Sequence, residues 1–359
     1  MNISPVHLDA LETLGYTRAE ARFLYLAATH SGYFLARQFL AFQGVHWGKR
    51  TTVFWSKLER QKHARIERFP KSGTIYHLSS RQLYRHIGKP ALRHRRIHEL
   101  DFIKRRIAIL DFILGHQGYE YLETEAEKVS YFSKTMGIDA GHLPAWFYLT
   151  RNGSGSNVRY FSDHFPILLD PPPAVVTFTY FPEGASGFPD FVRHLKAYLP
   201  LFRELSEFRM LYVSRTDSHF ERATEIFNSL VKIPMESDIA EDLVRYFRIR
   251  KSWDQKQYAR VSDADLIFRN HARGRFKGEI FEGLYRGWKM GLVNEAAIRT
   301  QIGSNARKHA VAFGTLKLCP LPVPGAPLVE AGEAVTKSDC TSGSERAFTR
   351  RGSEVVRSP

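Results

Sequence analysis

The chain has 359 residues, of which 43% are hydrophobic and 25% charged, so it is long enough for about two globular domains and wholesale disorder is excluded. Only two cysteines occur, Cys319 and Cys340, which excludes a disulfide framework or a zinc finger, and no apolar run approaches the roughly 18–20 residues of a membrane span. The net charge of +15 is concentrated: residues 36–107 hold 18 Lys and Arg against 4 Asp and Glu, a field that attracts polyanions. The first residues, MNISPVHLDALETLGY, lack a basic segment leading into an apolar one, so a cytoplasmic location is expected.

In chain order, residues 8–31 read as a helix with a break, restarting at Thr17 with Glu20 three residues on, the pattern of a capping box. A short helix is expected at about Phe34–Phe42, closed by Gly44, and a third from Gly48, anchored by Val53, Phe54 and Leu58. ARIERFP and TIYHLSS alternate around Lys71-Ser72-Gly73, a hairpin signal. Three helices followed by a hairpin give the order of a winged helix-turn-helix. From 81 to 116 the chain reads as basic helix, with Leu100, Ile103, Ile107, Leu110 and Leu114 on one stripe and Arg105 and Arg106 pointing away from it.

Strands are expected at Trp146–Leu149, Val158–Phe161, Pro166–Leu169, Val175–Phe181 and Arg209–Val213, with helices at Phe188–Leu205 and Ser218–Leu230, which together describe a mixed sheet flanked by helices. Residues 236–312 read as helical. From about 315 a Pro-rich stretch and a polar tail look unable to order themselves. The expected fold class is therefore α+β: a winged helix-turn-helix over 1–88, a basic linking helix over 89–118, a mixed α/β domain over 119–235, a helical section over 236–314 and a disordered tail over 315–359.

The strongest functional signal is GKRTTVFWSKLERQKHARIERFPK. A recognition helix shows donors to base edges and phosphates while its other face is anchored in the core. Lys49, Arg50, Thr51 and Thr52 fall in the first turn, and Ser56, Lys57 and Arg60 extend the surface. Arg68 and Lys71 put charge on the hairpin, and Arg93, Arg95, Arg96, Arg105 and Arg106 are expected to grip flanking phosphates.

The stretch SKLERQKHARIERFPKSGTIYHLSSRQLYRHIG resembles the helix-and-wing region of the replication-relaxation proteins, winged-helix proteins of plasmids and integrative elements. The resemblance implies that the basic helix HRRIHELDFIKRR leads into a sheet domain similar to a restriction-endonuclease core, often with a degraded active site. It covers residues 15–230 and rests on order and pattern more than on invariant motifs.

A magnesium-dependent nuclease of that fold needs an acid at one strand end and an acid-x-Lys on the next. Asp163 and Glu183 are the candidates, but Ala185 stands where the lysine belongs, so catalysis is the alternative rather than the expectation. A protein-interaction adaptor that docks through the winged helix is the other alternative. His94 and His98 have metal-binding spacing but sit among arginines that repel a cation, so neither a metal nor a cofactor is expected. The basic residues from Arg269 to Lys289 fit a solvated helix face as well as a second patch. The expected partner is double-stranded DNA, with a second copy of the chain or other mobile-element proteins besides, and no membrane.

Overall fold

The computed structural model describes residues 3–69, 73–149, 156–170, 175–182, 188–232, 235, 239–303 and 309–321, a mixture of helices and strands of the α+β class. Among them no helix is long and apolar enough to cross a membrane. They group into two compact units, one running to Phe227 and resuming at Ala312, the other spanning Asn228–Val311. The breaks expected at 88, 118 and 235 are thus met by one excursion that leaves the first unit and returns to it.

The first unit opens with α1 (Pro5–Glu12) and α2 (Arg18–His30). The Thr17–Glu20 capping box forms as expected, which satisfies backbone donors that would otherwise be orphaned at the start of α2. A short strand β1 (Tyr33–Leu35) precedes α3 (Ala36–Gln43), followed by α4 (Lys49–Arg60), β2 (Ala64–Phe69) and β3 (Gly73–Leu78). The three strands pair antiparallel in the order β1-β3-β2. Phe23, Phe34, Phe39, Phe54 and Trp55 pack against one another between the helices and this sheet, with Phe39 and Phe54 stacked at 3.9 Å. Burying each such ring is worth about 1.5–3 kcal/mol. That is ample to hold three short helices that would be marginal alone.

The basic stretch expected as one helix is broken into α5 (Arg81–His86), a 3-10 turn (Arg93–Arg95) and α6 (Leu100–Gly115). Pro90 lies in the first gap, where it removes a backbone donor. α6 is a core helix rather than a linker. It packs on α2, α3 and β1, burying Ile103, Ile107, Leu110 and Leu114, whereas Leu100 at the head of the expected stripe is exposed. Two of its charged residues are buried with the apolar ones. The Asp111 carboxylate accepts two hydrogen bonds from Arg37 of α3, at 2.8 and 2.7 Å, and one from Gln38 Nε2 at 2.8 Å.

Arg106, expected to face phosphate, is 1% exposed. Its Nε donates to the Ser31 carbonyl at 3.1 Å, Nη2 lies 2.9 Å from His94 Nε2, and Nη1 reaches the His164 carbonyl at 3.4 Å. The Ser31 hydroxyl returns a bond to the Arg106 carbonyl at 2.9 Å. Beside it, Gly32 has φ +81 and packs so tightly that an added Cβ would lie 2.6 Å from the His94 carbonyl oxygen.

After α6 come β4 (Glu120–Tyr121), α7 (Glu125–Ser130) continued by one π-turn, β5 (Ala145–Leu149), β6 (Ser156–Tyr160), β7 (Ile167–Leu169), β8 (Val176–Tyr180), α8 (Phe188–Glu204), β9 (Glu207–Ser214) and α9 (Phe220–Phe227). The expected strands and both helices are present. Their pairing was not legible. β5 and β6 form a separate two-stranded sheet, while a five-stranded sheet runs β10-β9-β8-β7-β4, antiparallel at β4–β7 and β7–β8 and parallel at β8–β9. The parallel β8–β9 step is the β8-α8-β9 crossover, and Tyr198 and Phe202 of α8 pack on Phe178 of β8.

The strand β10 (Ala310–Lys317) corrects two expectations, helix up to 312 and a loose tail from 315. Val311 and Leu316 are buried, Phe313 stacks on Phe227, and the Leu318 N–H donates to the Ser214 carbonyl at 2.7 Å. Cys319 therefore follows an ordered strand, while Cys340 and the rest of the expected tail lie outside the described residues.

Among the described residues the second unit holds the α-helices α10 (Ile239–Asp254), α11 (Asp263–Arg275), α12 (Glu279–Lys289) and α13 (Glu295–Gly303), around Leu243, Phe247, Phe276, Tyr285 and Ile298. Several of its basic residues are spoken for: Arg275 pairs with Asp242, Lys289 with Asp254, and Arg269 lies over Trp253.

Two substitutions test how α6 is docked. Arg106→Ala leaves His94 and two carbonyls without their donor and should lower unfolding free energy by about 1–3 kcal/mol in isothermal urea titration. Gly32→Ala combines a left-handed backbone with a steric clash and should cost about 2–5 kcal/mol in the same measurement.

Candidate nucleic-acid interface

α4 is set up by two glycines. Gly44, at φ 64, closes α3 in the left-handed region, where glycine carries no Cβ penalty, and Gly48 is the N-cap of α4. The Gly48 N–H donates to Thr51 Oγ1 at 2.9 Å, and that hydroxyl donates back to the Gly48 carbonyl at 2.8 Å. Thr51 is therefore buried and used up in starting the helix, not offered to a ligand as expected.

The inner face of α4 carries Thr51, Phe54, Trp55 and Leu58, all buried. The outer face carries Lys49, Thr52, Val53, Ser56 and Arg60, spaced three or four residues apart and all exposed. Val53, expected as an anchor, is 47% exposed and belongs to this outer stripe, while Trp55 takes the anchoring place. Lys57 is turned to the flank, where its Nζ is 2.8 Å from Glu20 Oε2, so the carboxylate that caps α2 also braces α4. The side chain of Arg50 and the whole of Lys71 lie outside the described residues.

On β2, Arg68 is exposed as expected, and Arg65 is exposed with it. Arg65 was readable from the alternation of ARIERF. Trp47 was missed as well: it is 59% exposed and stacks on Trp55 at 5.7 Å, just ahead of α4.

The arginines after the hairpin divide. Arg95 and Arg96 are exposed. Arg93 is also exposed but lines a cleft, and burial together with Arg159 and Arg96 holds its guanidinium below the usual range. Arg105 is half-buried, with its guanidinium 5.1 Å from the Phe102 ring centre and 5.5 Å from that of Phe165, while Arg106 is internal.

Asp163 sits in a buried cluster of protein partners. Its carboxylate is within 3.0 Å of His194 Nδ1, accepts the Tyr198 hydroxyl at 3.0 Å and takes the Phe165 N–H at 3.2 Å. Burial pushes its carboxyl up, but His194, Lys128 and that N–H outweigh it and hold it at about 2. Glu183 lies outside the described residues, and among those residues no cluster of three or more His, Cys, Asp or Glu is placed to hold a metal ion. His94 is engaged by Arg106, and His98 Nδ1 by the Tyr33 hydroxyl at 3.2 Å.

The histidines around Arg106 are kept neutral. Burial, then Arg106 and Lys128, push His164 down to about 3, and burial with Arg106 pushes His94 well down. Below about pH 6.5 the unfolded chain takes up protons that the folded protein refuses, so stability falls as pH drops from there toward 3. The melting temperature should decline between pH 7.5 and pH 5. The decline should be shallower in His164→Asn, since asparagine tolerates the φ of 56 at that position.

Compared with known proteins, the chain matches no family model, no curated protein and no solved structure.

Proposed function

We propose that residues 5–78 are a winged helix-turn-helix that binds duplex DNA with α4 in the major groove and the β2–β3 hairpin as the wing. The observation that carries this reading is the outer stripe of α4. Lys49 and Arg60 stand at its ends, exposed and in no ion pair among the described residues, with the hydroxyls of Thr52 and Ser56 and the methyls of Val53 between them. Cations at both ends suit phosphates, hydroxyls suit base edges, and a branched apolar side chain suits a thymine methyl. Arg65 and Arg68 extend the positive surface onto the hairpin, and the charge surplus of residues 36–107 supplies the long-range field.

With the resemblance to replication-relaxation proteins, the reading becomes a DNA-binding protein serving the replication, transfer or transcription of a mobile element. The five-stranded sheet is then an endonuclease-like core put to structural use. The engagement of Asp163 by His194, Tyr198 and a backbone N–H favours this over a nuclease.

Titration of a fluorescent duplex across a salt series tests the assignment. Lys49→Ala/Arg60→Ala should weaken binding and flatten the plot of log affinity against log salt by about 2, one for each lost phosphate contact. Thr52→Ala/Ser56→Ala should instead narrow the gap between preferred and random duplexes. Wild-type affinity and slope in the first variant would remove α4 from the interface.

A further inference from the structure

A second site lies in the first unit, away from the outer face of α4. The end of α2, the 88–94 segment, α7 and the 159–166 segment enclose a cleft of about 800 Å³, within the range of small-molecule sites. Its charge is unbalanced. Five cations line it, Lys89, Arg93, Lys128, Lys134 and Arg159, against three carboxylates.

Those carboxylates are already engaged. Glu123 is bound by Lys89 and accepts the Tyr25 hydroxyl at 2.7 Å. Glu125 is 2.6 Å from Arg159 Nη2 and accepts the Tyr160 N–H at 2.8 Å. Glu127 takes the Glu123 N–H at 2.9 Å and lies 3.7 Å from Lys89. Arg93, Lys128 and Lys134 form no ion pair with a carboxylate among the described residues, and Lys128 donates to the Phe165 carbonyl at 2.6 Å and lies over the Phe161 ring.

Lys128 is 4% exposed, and its nearest compensation is the charge of Asp163, which is itself taken up by His194 and Tyr198, so the ammonium is buried without a carboxylate of its own. Two further features mark a built site. His30 is buried on the wall, and its Nε2, 3.7 Å from Glu123, has no hydrogen-bond partner among the described residues. Across from it, Phe161 and His164 hold left-handed φ of 50 and 56, a strain that folds retain chiefly where a site needs it.

We propose that this cleft binds a small phosphorylated molecule, whose phosphoryl charge is met by Arg93, Lys128 and Lys134 and whose remainder, up to the size of a nucleotide, fills the rest of the volume. A phosphomonoester carries close to two negative charges and three acceptor oxygens. This matches a cleft whose surplus is two cations, one an arginine fork. A monocarboxylate would leave one of them uncompensated.

Calorimetric titration of the full chain with pyrophosphate, with AMP and with adenosine tests this. One molecule of AMP or pyrophosphate should bind per chain and adenosine should not. Arg93→Gln/Lys134→Gln, both at exposed positions, should weaken AMP by at least about tenfold with an unchanged melting temperature in the absence of ligand. The Lys49→Ala/Arg60→Ala chain should bind AMP like wild type whether or not the DNA reading holds. Absence of binding by either phosphate compound, equal binding of adenosine, or wild-type affinity in the cleft variant overturns the proposal. So does loss of AMP binding in the α4 variant, which would place the anion on the α4 face.

Discussion

Arg106 is a buried guanidinium with no carboxylate in hydrogen-bond contact among the described residues. Arg106 is held by two carbonyls and an imidazole, and these come from three different stretches of chain: the turn after α2, the 93–95 turn, and the 161–165 turn next to the sheet. Removing such a group from water is expensive, and only full use of its donors offsets the loss. Its surroundings follow from that demand. Ser31 and Gly32 must bring the backbone close, His94 and His164 must stay neutral, and Asp163 lends charge from a distance. Arg106 thus ties the helical portion that carries α4 to the portion built on the five-stranded sheet, alongside contacts such as Phe112 on Phe181 and His30 on Tyr121.

The rest of α6 repeats the theme. Asp111 binds Arg37 and Gln38, so α3 is fixed to α6 by charge as well as by packing. α3 in turn stacks Phe39 on Phe54 of α4. The orientation of α4 is therefore set from beneath by a chain of contacts leading to the core, and from the side by Glu20 and Lys57. A helix supported on two sides presents its outer stripe rigidly, the property a groove-reading element needs.

Much of this was legible in the sequence. The Thr17–Glu20 box, the hairpin, α4 and five strands follow from spacing and alternation alone. The failures share a cause: residue type was allowed to overrule period. Arg106 lies three residues after Ile103 and four before Leu110, squarely on the apolar stripe, yet its charge argued for solvent. Thr51 and Val53 were exchanged in the same way, since the period that buries Phe54, Trp55 and Leu58 also buries position 51 and turns position 53 outward. Pairing was beyond reach for another reason. Alternation identifies a strand but not its neighbour, so the separate β5–β6 sheet and the β10-β9 edge needed three dimensions. The cleft cations were visible only as scattered charges, because Arg93 and Lys134 are 41 positions apart.

The position of β10 bears on how the chain is made. β9 ends at Ser214, and the strand beside it begins at Ala310, after the helices of the second unit. In synthesis β9 is therefore made well before the strand that covers its edge. An unpaired edge strand is a template for association between molecules. Translation that stops short of residue 310 would thus leave β9, most of whose residues are buried in the full chain, as the sheet edge in place of β10.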